Sequence, residues 1–218
     1  MTRAIHPAIR RLAAQLRITG GRVRRDDRAS QIVEFAISLP LLVLFVVGIF
    51  DFSSAITLKQ KLTNAAREAA RIAAADPAND LIGGTTPVPA SVIDAFYVVD
   101  NYLISEKINE CGLKTTEPTQ SGSTLTWSST AQLDGCPTPG LIFTINRGYF
   151  FPPTGGSLAP YTCIPPVVPT NGQTAIVGTC VSIQYAYKWR FGGVSGLFGG
   201  NFVGPSVIRT TAVAVNEN

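Results

Sequence analysis

The sequence offers little of what catalysis requires. Its only histidine, His6, precedes a long apolar run, so a Ser-His-Asp or Cys-His site cannot form in the residues after that run. No G-x-x-x-x-G-K-[ST] phosphate loop is present, and the glycines of residues 192–204 do not spell G-x-G-x-x-G. We therefore expect no catalytic residues, no cofactor and no enzyme. An exported enzyme built on scattered carboxylates is kept as an alternative.

Four cysteines follow the apolar run, at Cys111, Cys136, Cys163 and Cys180. An even number of cysteines in an exported domain predicts two disulfides. We expect Cys111 to pair with Cys136 and Cys163 with Cys180, because each pair closes a neighbouring loop. The sequence has no C-x-x-C spacing and no histidine near these cysteines, so we expect no metal site.

The apolar run, SQIVEFAISLPLLVLFVVGIFDF, covers residues 30–52 and contains two carboxylates, Glu34 near its start and Asp51 at its end. Its apolar part, at about 1.5 Å per helical residue, is about 28 Å long, close to the hydrocarbon thickness of a bilayer. A cleaved signal peptide would be shorter, and a buried core helix would be amphipathic. The run therefore predicts a transmembrane helix, with a kink at Pro40.

Positive charge is concentrated before this run and predicts its orientation. The net charge is +4, and the only acidic residues in the first 29 are Asp26 and Asp27. The arginines there are Arg3, Arg10, Arg11, Arg17, Arg22, Arg24, Arg25 and Arg28. Arginine beside a membrane helix keeps that end cytoplasmic. The arm is either an amphipathic segment on the inner leaflet or an unstructured leader. Without interleaved aromatics, nucleic-acid binding is not expected.

Helical periodicity continues beyond residue 52 without glycine or proline as far as Ala75, and Asp76 and Pro77 then end it. One face of this extension is rich in alanine, which allows another backbone to come close. The residues of this face are Ala55, Leu58, Leu62, Ala65, Ala66, Ala69 and Ala73. The face must be covered either by the later domain of the same chain or by another subunit.

The remainder of the sequence predicts an α+β domain with a small antiparallel sheet. A turn-rich linker, 76–89, precedes a second helix over 92–108, which Ser91 caps and which has an apolar face. Strands are predicted over 125–130, 141–150, 174–189 and 206–216. The loop 191–204 is apolar for a loop, and it either contacts a partner or the bilayer or folds back onto the sheet.

These patterns divide the chain into four parts. Residues 1–29 form a basic cytoplasmic arm or leader, 30–52 the transmembrane helix, 53–75 an amphipathic helical extension and 76–218 the extracytoplasmic α+β domain.

Two segments, RASQIVEFAISLPLLVLFVVGIFDF and KLTNAAREAARIAA, together carry a recognisable pattern. An E-F pair opens an apolar stretch that contains L-P, and an aspartate-aromatic pair and an A-A-R-E-x-A-R segment follow. The matching positions are Glu34, Phe35, Leu39, Pro40, Asp51, Phe52 and residues 65–71. This pattern resembles TadE-like proteins, the minor pilin-like components of tight-adherence (Flp) pilus systems. The two last strands, with an apolar loop between them, also look like the C-terminal end of that family.

The resemblance implies a pilin-like fold and a non-catalytic pseudopilin in the inner membrane, with its C-terminal domain outside. The implied partners are the lipid bilayer, other pilin-like subunits, the Tad secretion machinery and a prepilin peptidase that cuts between Ala29 and Ser30. Ala29 stands where such peptidases usually meet glycine, and the arm is long for a leader. The alternative is an uncleaved, membrane-anchored binding or adhesin domain.

If the apolar run spans a membrane, the carboxylate of Glu34 is energetically costly there. A carboxylate costs about 2–3 kcal/mol at the centre of a bilayer and less near its interface. Glu34 either lies among the headgroups or, after cleavage, pairs with the new amine of Ser30 on a neighbouring subunit. In the second case Glu34 and Phe35 set the register between subunits.

Overall fold

The structure, a computed structural model, describes residues 27–81, 88–121, 125–151, 163, 176–189 and 206–217. Its long helices are α1 (Asp27–Ala75) and α2 (Ala90–Ser105), and short 3₁₀ helices cover Ala78–Leu81 and Leu113–Thr115. The strands are β1 (Thr119–Gln120), β2 (Thr126–Ala131), β3 (Leu141–Phe150), β4 (Val177–Ala186) and β5 (Val207–Val215). The predicted α+β class, with a long apolar N-terminal helix and an antiparallel sheet, is confirmed.

The chain divides into two compact units, Met1–Val47 and Gly48–Asn218. In the first unit the described residues all belong to α1, and most of their apolar side chains are exposed, for example Ile37 and Phe35. Among the described residues one helix is long and apolar enough to cross a membrane, with a window of mean hydropathy 2.6 that is wholly unburied. This exposure contradicts the alternative of a buried core helix and fits a single-pass membrane protein.

Helix α1 continues through Pro40. Proline removes one backbone donor from a helix and crowds the preceding turn. The predicted kink at Pro40 stays a prediction.

The second unit contains a five-stranded sheet in the order β1-β2-β3-β4-β5, and each neighbouring pair is antiparallel. Strand β3 has the bounds that its alternating pattern predicts, while β2, β4 and β5 differ from prediction by one to three residues at their ends. The two-residue strand β1 was not predicted, because two residues are too few to establish an alternating pattern. Strand β4 lies between β3 and β5 and is buried on both faces over most of its length.

The core of the second unit lies between the sheet and the two helices. The alanine-rich face of α1 is buried by the chain's own domain, and Leu62, Ala66 and Ala69 have no exposed surface. From α2, Val92, Phe96, Val99 and Leu103 are buried as predicted. The ring of Phe96 meets that of Phe143 on β3 edge to face, with centroids 5.8 Å apart. The small side chains of α1 are thus part of this core.

The predicted cap of α2 is wrong. The N-cap is Pro89, and Ser91 is a buried residue of the first turn. Proline fixes φ near −65°, and its carbonyl accepts the first helical hydrogen bonds, here from Val92 N at 3.0 Å and Ile93 N at 3.1 Å. The helix also ends at Ser105 rather than at residue 108, because Lys107 has a positive φ of 56°.

Some predictions lie outside the described residues. They concern the arm with His6, the apolar loop 191–204 and most of the proline-rich stretch before β4.

Candidate functional site

The residues predicted to set subunit register lie on the first part of α1. Both Glu34 and Phe35 are exposed, and Phe35 has 64% of its surface free. Ser38, one turn on, donates its hydroxyl to the backbone oxygen of Phe35 at 3.2 Å, so it is satisfied within the helix. No ion pair reaches Glu34 from any residue in the described ranges.

The predicted processing site lies at the start of α1. The helix begins at Asp27, so the bond between Ala29 and Ser30 is inside its first turn, and Ser30 is exposed. The arm before Asp27 lies outside the described residues.

Asp51, at the end of the apolar run, is buried and contacts a tyrosine that follows the last residue of β4. Asp51 is only 4% exposed. The hydroxyl of Tyr187, one residue beyond β4, lies 2.9 Å from Asp51 Oδ1 and 3.1 Å from its backbone oxygen. A buried carboxylate needs hydrogen-bond donors to replace water. The contact ties the membrane-proximal part of α1, within the second unit, to the segment after β4.

A buried arginine holds the other end of α1. Arg147, on β3, is 1% exposed. Its guanidinium donates from Nη1 to the backbone oxygen of Ala73, and from Nη2 to that of Asp76 at 3.1 Å. The last carbonyls of a helix have no helical partner, and the helix dipole favours a cation there. Arg147 satisfies these carbonyls and supplies that cation.

Two further strands complete this arrangement. Arg147 Nη1 also donates to Thr179 Oγ1 on β4 at 2.9 Å, and Thr179 donates in turn to Asn216 Oδ1 at 2.7 Å. Asn216, just after β5, donates from Nδ2 to the backbone oxygen of Arg147 at 3.3 Å. The backbone N–H of Glu217 donates to Ala74 at 3.2 Å. We call Arg147, Thr179 and Asn216 the helix-end clamp, since they fasten the end of α1 to three strands.

The A-A-R-E-x-A-R segment has a packing explanation. Ala65, Ala66 and Ala69 are fully buried against the sheet and α2, whereas Arg67 and Arg71 are exposed. Arg71 bonds Glu68 one turn before it at 2.8 Å. The alanines of the segment therefore provide close packing, and its charged residues keep the outer face soluble.

Both disulfides are present. Cys111 pairs with Cys136 and Cys163 with Cys180, with Cα–Cα distances of 5.5 and 5.4 Å. These are the pairs that closure of neighbouring loops predicts. Within the described ranges, no group of three or more His, Cys, Asp or Glu side chains lies together as a metal site requires.

Asp100 on α2 is a buried carboxyl, 1% exposed. Burial raises the pKa of Asp100 above its usual value, and the negative charge of Glu110 raises it further, while the charge and backbone N–H of Lys114 lower it. Its Oδ1 has no hydrogen-bond partner in the described part of the chain. The folded protein therefore holds a proton on Asp100 more tightly than the unfolded chain does.

The raised pKa has a consequence for stability that Asp100→Asn tests. Because the folded-state pKa is the higher one, stability is lost as pH rises from the usual value of 3.8 through the folded pKa. The asparagine variant should lack this loss, so it should melt at a higher temperature than the parent at about pH 7 and at a similar temperature at about pH 3. Circular dichroism melts over this range measure the difference. The exposed Asp94 on the same helix gives the control, Asp94→Asn, and equal curves for both variants would contradict the expectation.

Together these features define a class of protein: a long apolar helix that fits a single membrane span, continued into a disulfide-bonded α+β domain. The family model for TadE-like proteins matches residues 29–71, which include Glu34, Asp51 and the A-A-R-E-x-A-R segment. Residues 29–71 are thus similar to the TadE-like family, and this match supports a protein associated with Tad pili. No curated protein and no solved structure matches the chain.

Sequence reasoning missed the helix-end clamp and the partner of Asp51. The sequence nevertheless contained a signal for Arg147. It continues the alternation of Leu141, Phe143 and Ile145, whose side chains lie on the buried face of β3. Tyr187 likewise continues the alternation of Ile183 and Tyr185 beyond the end of β4. An arginine or tyrosine in phase with an apolar strand face predicts a buried polar contact.

Proposed function

We propose that this chain is a pilin-like subunit that supports assembly of a Tad-type adhesive pilus from the inner membrane, without catalysing a reaction. Glu34 carries the proposal. It is an exposed carboxylate within an apolar helix, in the segment that matches the TadE-like family, and no ion pair reaches it from the described residues. In a bilayer such a group favours any partner that supplies a cation.

The cation in this proposal is the amine that a prepilin peptidase would create on Ser30. Ser30 and Glu34 lie four residues apart on α1, so their side chains share a face about 6 Å apart along the axis. Glu34 of one subunit then pairs with the Ser30 amine of its neighbour, which fixes the register between two helices. The arginines before residue 29 support a cytoplasmic N-terminus. The two disulfides support an extracytoplasmic domain.

The domain contributes rigidity. The helix-end clamp and the Asp51–Tyr187 contact fasten the second part of α1 at two places. Displacement of this part of the helix during assembly would therefore carry the folded domain with it. The partners in assembly would be other pilin-like subunits and the Tad secretion machinery.

The first test is the N-terminus of the mature protein, measured by mass spectrometry after extraction from membranes of cells with and without prepilin peptidase. A start at Ser30 that depends on the peptidase is the expected result. An intact arm in both strains would contradict the processing step and favour the uncleaved anchored binding domain.

The second test replaces the carboxylate. Glu34→Ala should insert normally, because alanine favours the membrane more than glutamate does. It should reduce the number of fibres by about tenfold or more, as expected from an ion pair that offsets about 2–3 kcal/mol. Ser38→Ala is the matched control, since Ser38 is polar and exposed in the same run but satisfied within the helix. Electron microscopy counts fibres, and normal counts for Glu34→Ala would remove the pairing role.

A further inference from the structure

A groove of about 700 Å³ lies in the second unit, between the first turns of α1 beyond the apolar run and the start of β5. We call it the α1–β5 groove. Its lining residues are Phe52, Ala55, Ile56 and Lys59 of α1, Trp189, and residues 206–209.

The floor of the α1–β5 groove is apolar although it is open to solvent. Phe52 is 61% exposed and Ile56 is 44% exposed. The indole of Trp189 is half-buried and is held edge to face against the ring of Tyr187, with centroids 5.0 Å apart. Phe52 ends the apolar run, and Trp side chains such as Trp189 are enriched at the membrane–water boundary. The groove is thus suited to an apolar chain that comes from the bilayer.

Two cations line the same groove. Lys59 and Arg209 are exposed, and neither has an ion-pair partner among the described residues. Arg209 Nε donates to Gln184 Oε1 at 2.9 Å, which fixes the guanidinium and leaves its Nη atoms for a ligand. Lys59 is seven residues beyond Phe52, about 10 Å along the helix. Headgroups begin just beyond the hydrocarbon, so these charges lie near their level.

A second, smaller groove on α1 also carries positive charge, but part of that charge is compensated. That groove, of about 330 Å³, also contains two lysines, Lys61 and Lys107. There, Lys61 Nζ lies 3.0 Å from Glu106 Oε2, so its charge is already compensated. Of these two grooves, the α1–β5 groove is the one that combines an apolar floor with two cations that have no ion-pair partner among the described residues.

We propose that the α1–β5 groove binds an anionic phospholipid. An acyl chain lies against Phe52, Ile56 and Trp189, and the phosphate is bound by Lys59 and Arg209. The proposal depends on insertion of α1 in a membrane and not on the role in a pilus, so it can fail or succeed independently of the proposed function. Such a lipid would fix the depth at which the domain rests on the bilayer.

The test uses the full-length protein with Trp127→Phe, which leaves Trp189 as its one tryptophan. Trp127 is buried and its Nε1 has no hydrogen-bond partner in the described ranges, so phenylalanine loses no hydrogen bond. The protein is reconstituted into phosphatidylcholine vesicles. A minor fraction of the lipid is either phosphatidylglycerol or phosphatidylcholine, with bromine on the acyl chain in both cases. Bromine quenches a tryptophan that it touches.

Brominated phosphatidylglycerol should quench Trp189 more strongly than brominated phosphatidylcholine at the same fraction. Each cation near a membrane surface changes the local partition of an anionic lipid by about fivefold. Lys59→Gln with Arg209→Gln should abolish the preference. Lys61→Gln with Lys107→Gln removes two charges from the second groove and should leave the preference unchanged.

Three results would overturn the proposal. Equal quenching by the two brominated lipids would mean that the groove has no preference for an anionic headgroup. Absence of quenching by either lipid would mean that something else covers Trp189, such as residues 190–205 of the chain or a neighbouring subunit. A preference that survives loss of Lys59 and Arg209 would mean that these cations do not bind the headgroup.

Discussion

Arg147→Ala is expected to lower the free energy of unfolding by about 3 kcal/mol or more, from lost hydrogen bonds to buried acceptors and from the cavity that remains. Arg147 is buried, and its guanidinium serves the backbone oxygens of Ala73 and Asp76 and the hydroxyl of Thr179. Alanine leaves these acceptors without a donor in a place that water does not fill readily. The helix dipole of α1 also loses its compensating charge.

Two variants separate these contributions. Arg147→Lys keeps the charge but not the planar fork of donors, so it should recover part of the loss. Arg71→Ala is the matched control, because Arg71 is an exposed arginine of α1 whose ion pair with Glu68 is on the surface. An exposed pair of this kind contributes about 0–1 kcal/mol. Urea unfolding followed by circular dichroism measures all three, and equal midpoints for Arg147→Ala and Arg71→Ala would contradict the role of the clamp.

Hydrogen exchange shows which part of the domain the Arg147→Ala substitution destabilises. If the clamp holds the end of α1, the amides of the last turn before Ala75 should lose protection in Arg147→Ala more than those of α2 do. Uniform loss over the whole domain would instead indicate a general packing defect.

The parts of the fold that follow from local patterns were predictable. The bounds of β3 match the predicted strand 141–150, because its residues alternate between core and intermediate positions over most of its length. The end of α1 at Ala75 follows from Asp76 and Pro77. The buried face of α2 is likewise set by helical spacing. In each case the information lies within a few residues of the element.

Contacts between distant segments were less predictable. Arg147 and Ala73 are far apart in the sequence, and only the packing of α1 on the sheet brings them together. Asp51 was recognised as a motif residue, yet nothing near it in the sequence indicates that Tyr187 covers it. The choice between the chain's own domain and another subunit as the cover for the alanine face also needed the tertiary structure.

Glu34 is a different case, because the fold does not explain it. The structure leaves it exposed on α1, whereas most buried polar groups of the second unit have partners. Natural sequences depart from local consistency mainly where function requires it. For this reason the proposed role in assembly is assigned to Glu34.

Loss of the Cys111–Cys136 disulfide is expected to lower the free energy of unfolding by about 3 kcal/mol, the amount that a cross-link across a loop of this length removes from the unfolded chain. The cysteines are 25 residues apart, and Cys111 is buried in the main core. Cys111 also has a positive φ of 58°, and Gly112 follows with a φ of 72°. An alanine at position 111 is strained in this conformation, whereas glycine adopts it freely.

The comparison of two double variants therefore separates the stabilisation by the cross-link from the effect of backbone strain at position 111. Cys111→Ala with Cys136→Ala should be less stable than Cys111→Gly with Cys136→Ala by about 0.5–1 kcal/mol, and both should be less stable than the parent. Cys163→Ala with Cys180→Ala removes the other cross-link, which closes 17 residues in a separate small cluster. Because the two clusters are separate, the decreases in the free energy of unfolding from removal of the two disulfides should add. Denaturant unfolding with and without reductant measures these values. A parent protein whose gel mobility and unfolding midpoint do not respond to reductant would contradict the presence of the disulfides.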